Sequence, residues 1–184
     1  MKEIEWLAAL VSVANVWLAT NNKVWNWPVG ILAVMLYGFL FFQTKLYAES
    51  ILQLFYLVMA VYGWANWKKQ INQQSSGIGS ISWPLFAIIL LLWVSFSYGF
   101  GQALIHWSDS TNPYFDSAMA VGGFLVTWMM ARKFIENWWC WVALDSANSV
   151  LFFQRDMNVT AVLYIIFAIL AVYGFFSWRK IQTT

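Results

Sequence analysis

Leu40-Phe41-Phe42-Gln43 recurs 111 residues later as Leu151-Phe152-Phe153-Gln154. In the same register Asn26-Trp27 falls on Asn137-Trp138, and Ala60-Val61-Tyr62-Gly63 falls on Ala171-Val172-Tyr173-Gly174. Trp67 falls on Trp178 and Lys69 on Lys180, with no gap anywhere. Apolar sequences share a small alphabet and match by chance. Two four-residue identities that include glutamine and glycine, in one ungapped register, instead mark an internal repeat.

The repeated stretches are apolar, and so is the rest of the chain. Of 184 residues, 61% are hydrophobic and 10% charged, against about 45–50% and about 25% in soluble domains. The 14 tryptophans also favour a membrane–water interface. Apolar runs between polar breaks predict spanning helices over 4–19, 27–42, 50–67, 83–104, 115–131, 138–153 and 159–178. Seven helices of about 20 residues leave no room for a soluble domain. Some runs are nearer 16 residues, so they sit thin, untilted or partly buried by neighbours. The first run lacks a small-residue cleavage pattern and reads as a membrane helix, not a signal peptide. The longest linker is the Gln-, Ser- and Gly-rich segment 70–82.

The predicted fold is thus an all-α integral membrane domain over 1–184. Repeat one covers 4–69, a linker helix 83–104, and repeat two 115–180. One intervening helix sets both halves in the same direction, the 3+1+3 parallel repeat of SWEET-type transporters. Such halves rock about a site near the bilayer midplane, which favours transport over a receptor or scaffold. Seven spans put Lys2, Lys45 and Arg155 on one side and the other seven basic residues on the opposite side. The excess of Lys and Arg places the C-terminus in the cytoplasm and the N-terminus outside.

The net charge of +2 is small and scattered, so there is no footprint for nucleic acid. Cys140 is the single cysteine, which excludes a disulfide framework and a CxxC site. His106, a loop residue, and Cys140 fall at opposite faces and cannot pair as nucleophile and base. No metalloprotease, phosphate-loop or nucleophile-elbow motif is present, so neither enzyme chemistry nor a cofactor or metal is expected.

Asp145 is the one ionisable group placed well inside a predicted span. Seven residues past Trp138, it lies about 10 Å from the interface. A charge there costs several kcal/mol unless it faces the protein interior or water, so it is a functional candidate; the alternative is a protonated structural group. Trp138, Trp141, Asp145, Asn148 and Phe152 share one helix face. A carboxylate and a carboxamide beside aromatic walls suit a flat organic cation. Gln53, Tyr56, Ala60, Gly63, Trp64 and Trp67 form a second face on the third helix. There Gln53 is either a ligand contact or an interhelical clasp. Its repeat mate is Tyr164, so the halves differ at this level. Gly63 and Gly174 read as close-packing positions. Trp25 reads as part of the interfacial belt, and Asn26 and Asn137 as helix caps. Gln43 and Gln154 lie at outer helix ends, and Asp109 and Asp116 at or beyond the outer interface.

Two stretches, WPVGILAVMLYGFLFFQTKLYAESILQLFYLVMAVYGWANWKK and FDSAMAVGGFLVTWMMARKFIENWWCWVALDSANSVLFFQ, resemble PnuC, the bacterial nicotinamide riboside transporters. The specific pieces are Leu46-Tyr47-Ala48, Gln53, Tyr62-Gly63-Trp64, Arg132-Lys133 and Glu136-Asn137-Trp138. The resemblance implies a multi-pass protein of the bacterial inner membrane. It implies facilitated diffusion of an unphosphorylated vitamin, trapping by a cytoplasmic kinase, and a homotrimer with one pathway per subunit. This chain has Asp145 where the members of the resembled family associated with nicotinamide riboside often carry asparagine. Close relatives, the PnuT group, carry thiamine. Both vitamins are flat aromatic cations. The expectation is nicotinamide riboside, with thiamine second and a small non-transporting membrane partner protein as the rival class. The candidate site residues are Asp145, Asn148, Trp141, Trp138, Gln53, Tyr56 and Trp64.

Overall fold

The computed structural model describes residues 2–43, 47–72, 77–108 and 112–183; Lys45, Leu46 and Asp109, named above, lie outside them. Seven α-helices follow in order: α1 (Lys2–Thr20), α2 (Asn26–Gln43), α3 (Tyr47–Asn72), α4 (Trp83–Trp107), α5 (Pro113–Ala131), α6 (Asn137–Gln154) and α7 (Asn158–Gln182). Each contains its predicted apolar stretch and runs past it. The flanking polar residues continue the helical hydrogen bonds. Four helices, α1, α2, α4 and α7, are long and apolar enough to cross a membrane. Of the others, α3 and α6 carry more Trp, Tyr, Asn, Gln and charged residues.

Local sequence ends the helices. Asn22, Lys133 and Asp156 adopt positive φ of 52°, 56° and 59°. At the end of α1, Lys23 N–H donates to Leu18 O and Asn22 N–H to Ala19 O, both at 2.9 Å. At the end of α5, Phe134 N–H donates to Met129 O at 3.0 Å and Lys133 N–H to Met130 O at 2.9 Å. These are matching left-handed caps that satisfy the last carbonyls. Asn22 and Lys133 are 111 residues apart, so the repeat extends to backbone turns whose side chains differ. The cap roles expected for Asn26 and Asn137 are corrected. Their Nδ2 atoms donate backward, to Lys23 O at 2.8 Å and Phe134 O at 2.6 Å. The left-handed residue turns the chain so that those carbonyls face the amides. Each asparagine therefore ties the turn instead of accepting from the helix.

Among the described residues, helix neighbours run α1–α2, α2–α3, α3–α5, α5–α6, α6–α7 and α7–α1, which closes a ring of six. α4 packs on α5, outside the ring. Trp83 and Trp107, at the two ends of α4, are 84% and 86% exposed. At 1.5 Å per residue they stand about 36 Å apart, enough to flank a hydrocarbon layer of about 30 Å. Between them Leu91 and Val94 are exposed, as are Leu54, Val58, Val159 and Ile169 on other helices. A surface this apolar is placed in lipid.

The ring is packed at the end that carries the C-terminus. Trp27 meets Trp67 edge-on at 5.5 Å and 87°, and Trp138 meets Trp178 at 5.3 Å and 89°. Trp67 and Trp178 join these two pairs at 5.8 Å. Trp27 fills the space left by Gly63, and Trp138 that left by Gly174. Trp67 Nε1 donates to Met130 O at 3.2 Å, and Trp178 Nε1 to Ala19 O at 2.9 Å. Every one of these residues lies 111 positions from its counterpart. Edge-on aromatic pairs add about 0.5–1.5 kcal/mol beyond their buried area. Close approach at small residues is what holds helices together in lipid.

Candidate functional site

Asp145 is 6% exposed. Further along α6, Phe152 stacks on Tyr164 of the neighbouring α7 at 5.3 Å and 11°. The Tyr56 hydroxyl of α3 rests against Gly123 of α5, where any Cβ would collide with it. A buried carboxylate in an aromatic-rich helical ring can neutralise a positive group that is offered aromatic faces nearby.

Of the residues chosen from sequence, Asp145 is buried on α6 and Tyr56 packs on Gly123 of α5. Trp141 and Asn148, one turn before and after Asp145, are half-buried. The Trp141 indole N–H is buried with no partner among the described residues. Its repeat counterpart is Gly30, whose space is taken by Asn15. Gln53 is half-buried against Gly38 of α2. Trp138 and Trp64 sit elsewhere. Trp138 is 1% exposed inside the aromatic core, and Trp64 packs on that core's margin with the Lys68 ammonium 4.4 Å from its ring. A shared helix face spanning about 10 Å meets different neighbours at its two ends, which separates Trp138 from Asp145. Tyr37 and Tyr164 were not among the candidates chosen from sequence. The repeat pairs Tyr37 with Asn148 and Tyr164 with Gln53. Asp116 makes an ion pair with Arg155 at 3.7 Å, near the end of the ring opposite the aromatic core. Among the described residues no group of three or more His, Cys, Asp and Glu converges as a metal site. A groove of about 290 Å³ between α6 and α7, lined in part by Ser146 and Ile169, opens on the outside of the ring and lacks Asp145.

The second half alone sets a charge beside the core at this turn, since the counterpart of Lys133 is Asn22. Lys133, 3% exposed, holds its ammonium 4.6 Å from the Trp67 ring. Burial pushes its pKa down to about 8. The unfolded chain keeps a lysine near 10.4. Between those values the unfolded state binds more protons, so stability rises with pH from about 8 to about 10. The apparent Tm of the parent in detergent should climb relative to Lys133→Met across that window. Parallel Tm profiles for the two proteins would show that burial does not act on Lys133.

Residues 2–180 match the family model described as nicotinamide mononucleotide transporter. The chain belongs to that family. Members similar to it include the nicotinamide riboside transporter PnuC of Escherichia coli (strain K12), 26% identical over 96% of this chain and 86% of the relative. The riboflavin/roseoflavin transporter RibM of Streptomyces davaonensis is 25% identical over 88% of this chain and 77% of its own. The crystal structure of the vitamin B3 transporter PnuC superposes with a TM-score of 0.78 at 20% identity, covering 96% of this chain and 80% of that one. The family's fold is thus that of the helical ring. Its members are transporters and not enzymes, and a family protein with these apolar helices is a multi-pass membrane protein.

Proposed function

We propose that this protein carries a vitamin cation, nicotinamide riboside, through the ring by facilitated diffusion. The observation that carries the reading is Asp145, a carboxylate buried at 6% exposure in the middle of α6, with the unpartnered indole N–H of Trp141 one turn away. A carboxylate in a membrane interior is costly unless it has a charge or donors to meet. The pyridinium of nicotinamide riboside supplies the charge, and its ribose hydroxyls suit the Trp141 N–H and Asn148. The named substrate of the Escherichia coli relative supports the same choice. Thiamine is the second reading, because Asp145 suits either flat cation. Riboflavin, named for the Streptomyces relative, is neutral and leaves the carboxylate without a counter-charge.

The matched turns, indole bonds and neighbour pattern support two three-helix repeats joined by α4, with all seven helices spanning the inner membrane. Seven of ten basic residues fall on the side of the C-terminus, which supports placing that side in the cytoplasm. A cytoplasmic kinase then holds the vitamin by phosphorylating it. A homotrimer, sealed by lipid-facing apolar residues and with one pathway per subunit, is the assembly in this proposal. Asp145 is the one acidic residue deep in the spans, so no relay of carboxylates is at hand to couple uptake to protons.

Proteoliposome uptake tests this reading. Nicotinamide riboside should equilibrate across the bilayer without an imposed ion gradient, faster than riboflavin does. Uptake of none of nicotinamide riboside, thiamine and riboflavin would sink the transport reading. Accumulation only under a proton or sodium gradient would sink facilitated diffusion.

A further inference from the structure

The segment from Gly77 to Ser82 leaves the first half of the molecule and is fastened to the second. It follows the end of α3 and precedes α4. Ile78 is 7% exposed and belongs to the buried cluster of Trp27, Trp67, Trp138 and Trp178. Gly79 N–H donates to Lys133 O at 3.0 Å, and Ile135 N–H donates to Gly79 O at 2.9 Å. Together they make one rung of parallel β-structure between Gly79 and Phe134. Ile81 N–H donates to the Glu136 carboxylate at 3.1 Å, and Gln182 Nε2 donates to Ser80 Oγ at 3.4 Å. Gly77, at φ 65°, fits against the Gln70 amide, where a side chain would collide. The α1–α2 turn has the same backbone as the α5–α6 turn, yet no rung of this kind is formed on it among the described residues. Among the described residues the fastening is thus made on the turn of one half and not on its counterpart.

Three points follow from this geometry. The segment links α3 to the α5–α6 turn and to the end of α7, so it straps the halves together at one end of the ring. Its aliphatic anchor fills part of the core that shuts this end. And it is held by a few loop hydrogen bonds with one buried side chain, a set that can break and re-form as a unit, as lids and gates do. Ile78 sits in a cluster built by tryptophans of both halves, so rocking the halves apart at this end disturbs its seat or opens the rung.

We infer that residues 77–82 form a releasable strap over the C-terminal mouth of the ring, and that its detachment from the α5–α6 turn accompanies each passage of substrate through that mouth. This rests on the transport reading above. The strap governs exit and entry at one mouth, whereas Asp145 governs binding.

A disulfide across the rung tests it. In a Cys140→Ser background, Gly79→Cys and Phe134→Cys are combined. No atom lies within 4 Å of a Cβ at Gly79, so that substitution has room. In proteoliposomes the oxidised pair should exchange nicotinamide riboside about tenfold more slowly or worse, and reductant should restore the rate. Binding in detergent should persist in both forms. Oxidised and reduced protein transporting equally fast would overturn the strap and leave the transport reading intact. A parent that carries none of the three vitamins would remove the transport reading, and the strap with it. A second measurement leaves Phe134 untouched. Ile78→Cys, in the same background, should react with an impermeant maleimide from the C-terminal side several-fold faster while nicotinamide riboside is being carried. A labelling rate indifferent to the vitamin would also overturn the strap.

Discussion

Asp145→Asn will lower affinity for the vitamin cation by about 5- to 150-fold, a change of about 1–3 kcal/mol. The substitution keeps the size of the side chain and its capacity to hydrogen-bond. It removes only the charge. At 6% exposure little water is present to screen the carboxylate from a cation in the ring, so the charge is worth more there than at a surface. No second acidic residue lies inside α6 to take over. Protein yield and apparent Tm should hold or rise, because a neutral amide is cheaper than a charge at this depth. Riboflavin, which is neutral, serves as the internal control, and any affinity for it should not fall. Titration of parent and variant with nicotinamide riboside, thiamine and riboflavin reads all of this. Equal affinity of parent and variant for the cation would mean that Asp145 is a protonated structural group, the alternative that its helix position alone left open.

The number and order of the helices were legible because each apolar run is bounded by polar or turn-forming residues. The two matching tryptophan pairs of the core were legible because Asn26-Trp27, Gly63 and Trp67 recur in register at Asn137-Trp138, Gly174 and Trp178. Asp145 stood out as a candidate because charge is rare inside apolar runs. What packs around it was harder to see, because phenol rings are common in an aromatic-rich membrane sequence. Periodicity reports which side of one helix is special, not which helices that side will meet. Trp138 shows the same limit: it shares a face with Asp145 but ends in the packed core, because Gly174 of the neighbouring helix makes room for it there. The fastening of Gly79 to the α5–α6 turn was invisible in sequence for another reason. It is made by backbone atoms, and backbone pairing of an isolated rung leaves no pattern of side chains.

Gly63→Ala and Gly174→Ala should each lower stability, although alanine is the better helix former by about 1 kcal/mol. A methyl at Gly174 would stand 2.7 Å from Cδ2 and 2.8 Å from Cε2 of Trp138. At Gly63 it would overlap the outer edge of the Trp27 ring still more closely. Neither ring can step aside freely. Trp27 is braced by Trp67, Trp138 by Trp178, and those two braces touch each other at 5.8 Å. Overpacking a fixed core costs about 1–3 kcal/mol, enough to outweigh the helix preference. The tighter overlap makes Gly63→Ala the worse of the two. Gly99→Ala gives the opposite sign. No atom lies within 4 Å of a Cβ there, on the outer helix α4, so only the helix preference remains, and stability should stay level or rise by up to about 1 kcal/mol. The apparent Tm of the three variants in one detergent separates the cases. A shared modest rise in all three would show that the tryptophans yield, and that the glycines are not what lets the two halves close on each other. A loss at Gly63 and Gly174 with none at Gly99 ties the recurring sequence, through the space beneath two indole rings, to the joining of the halves.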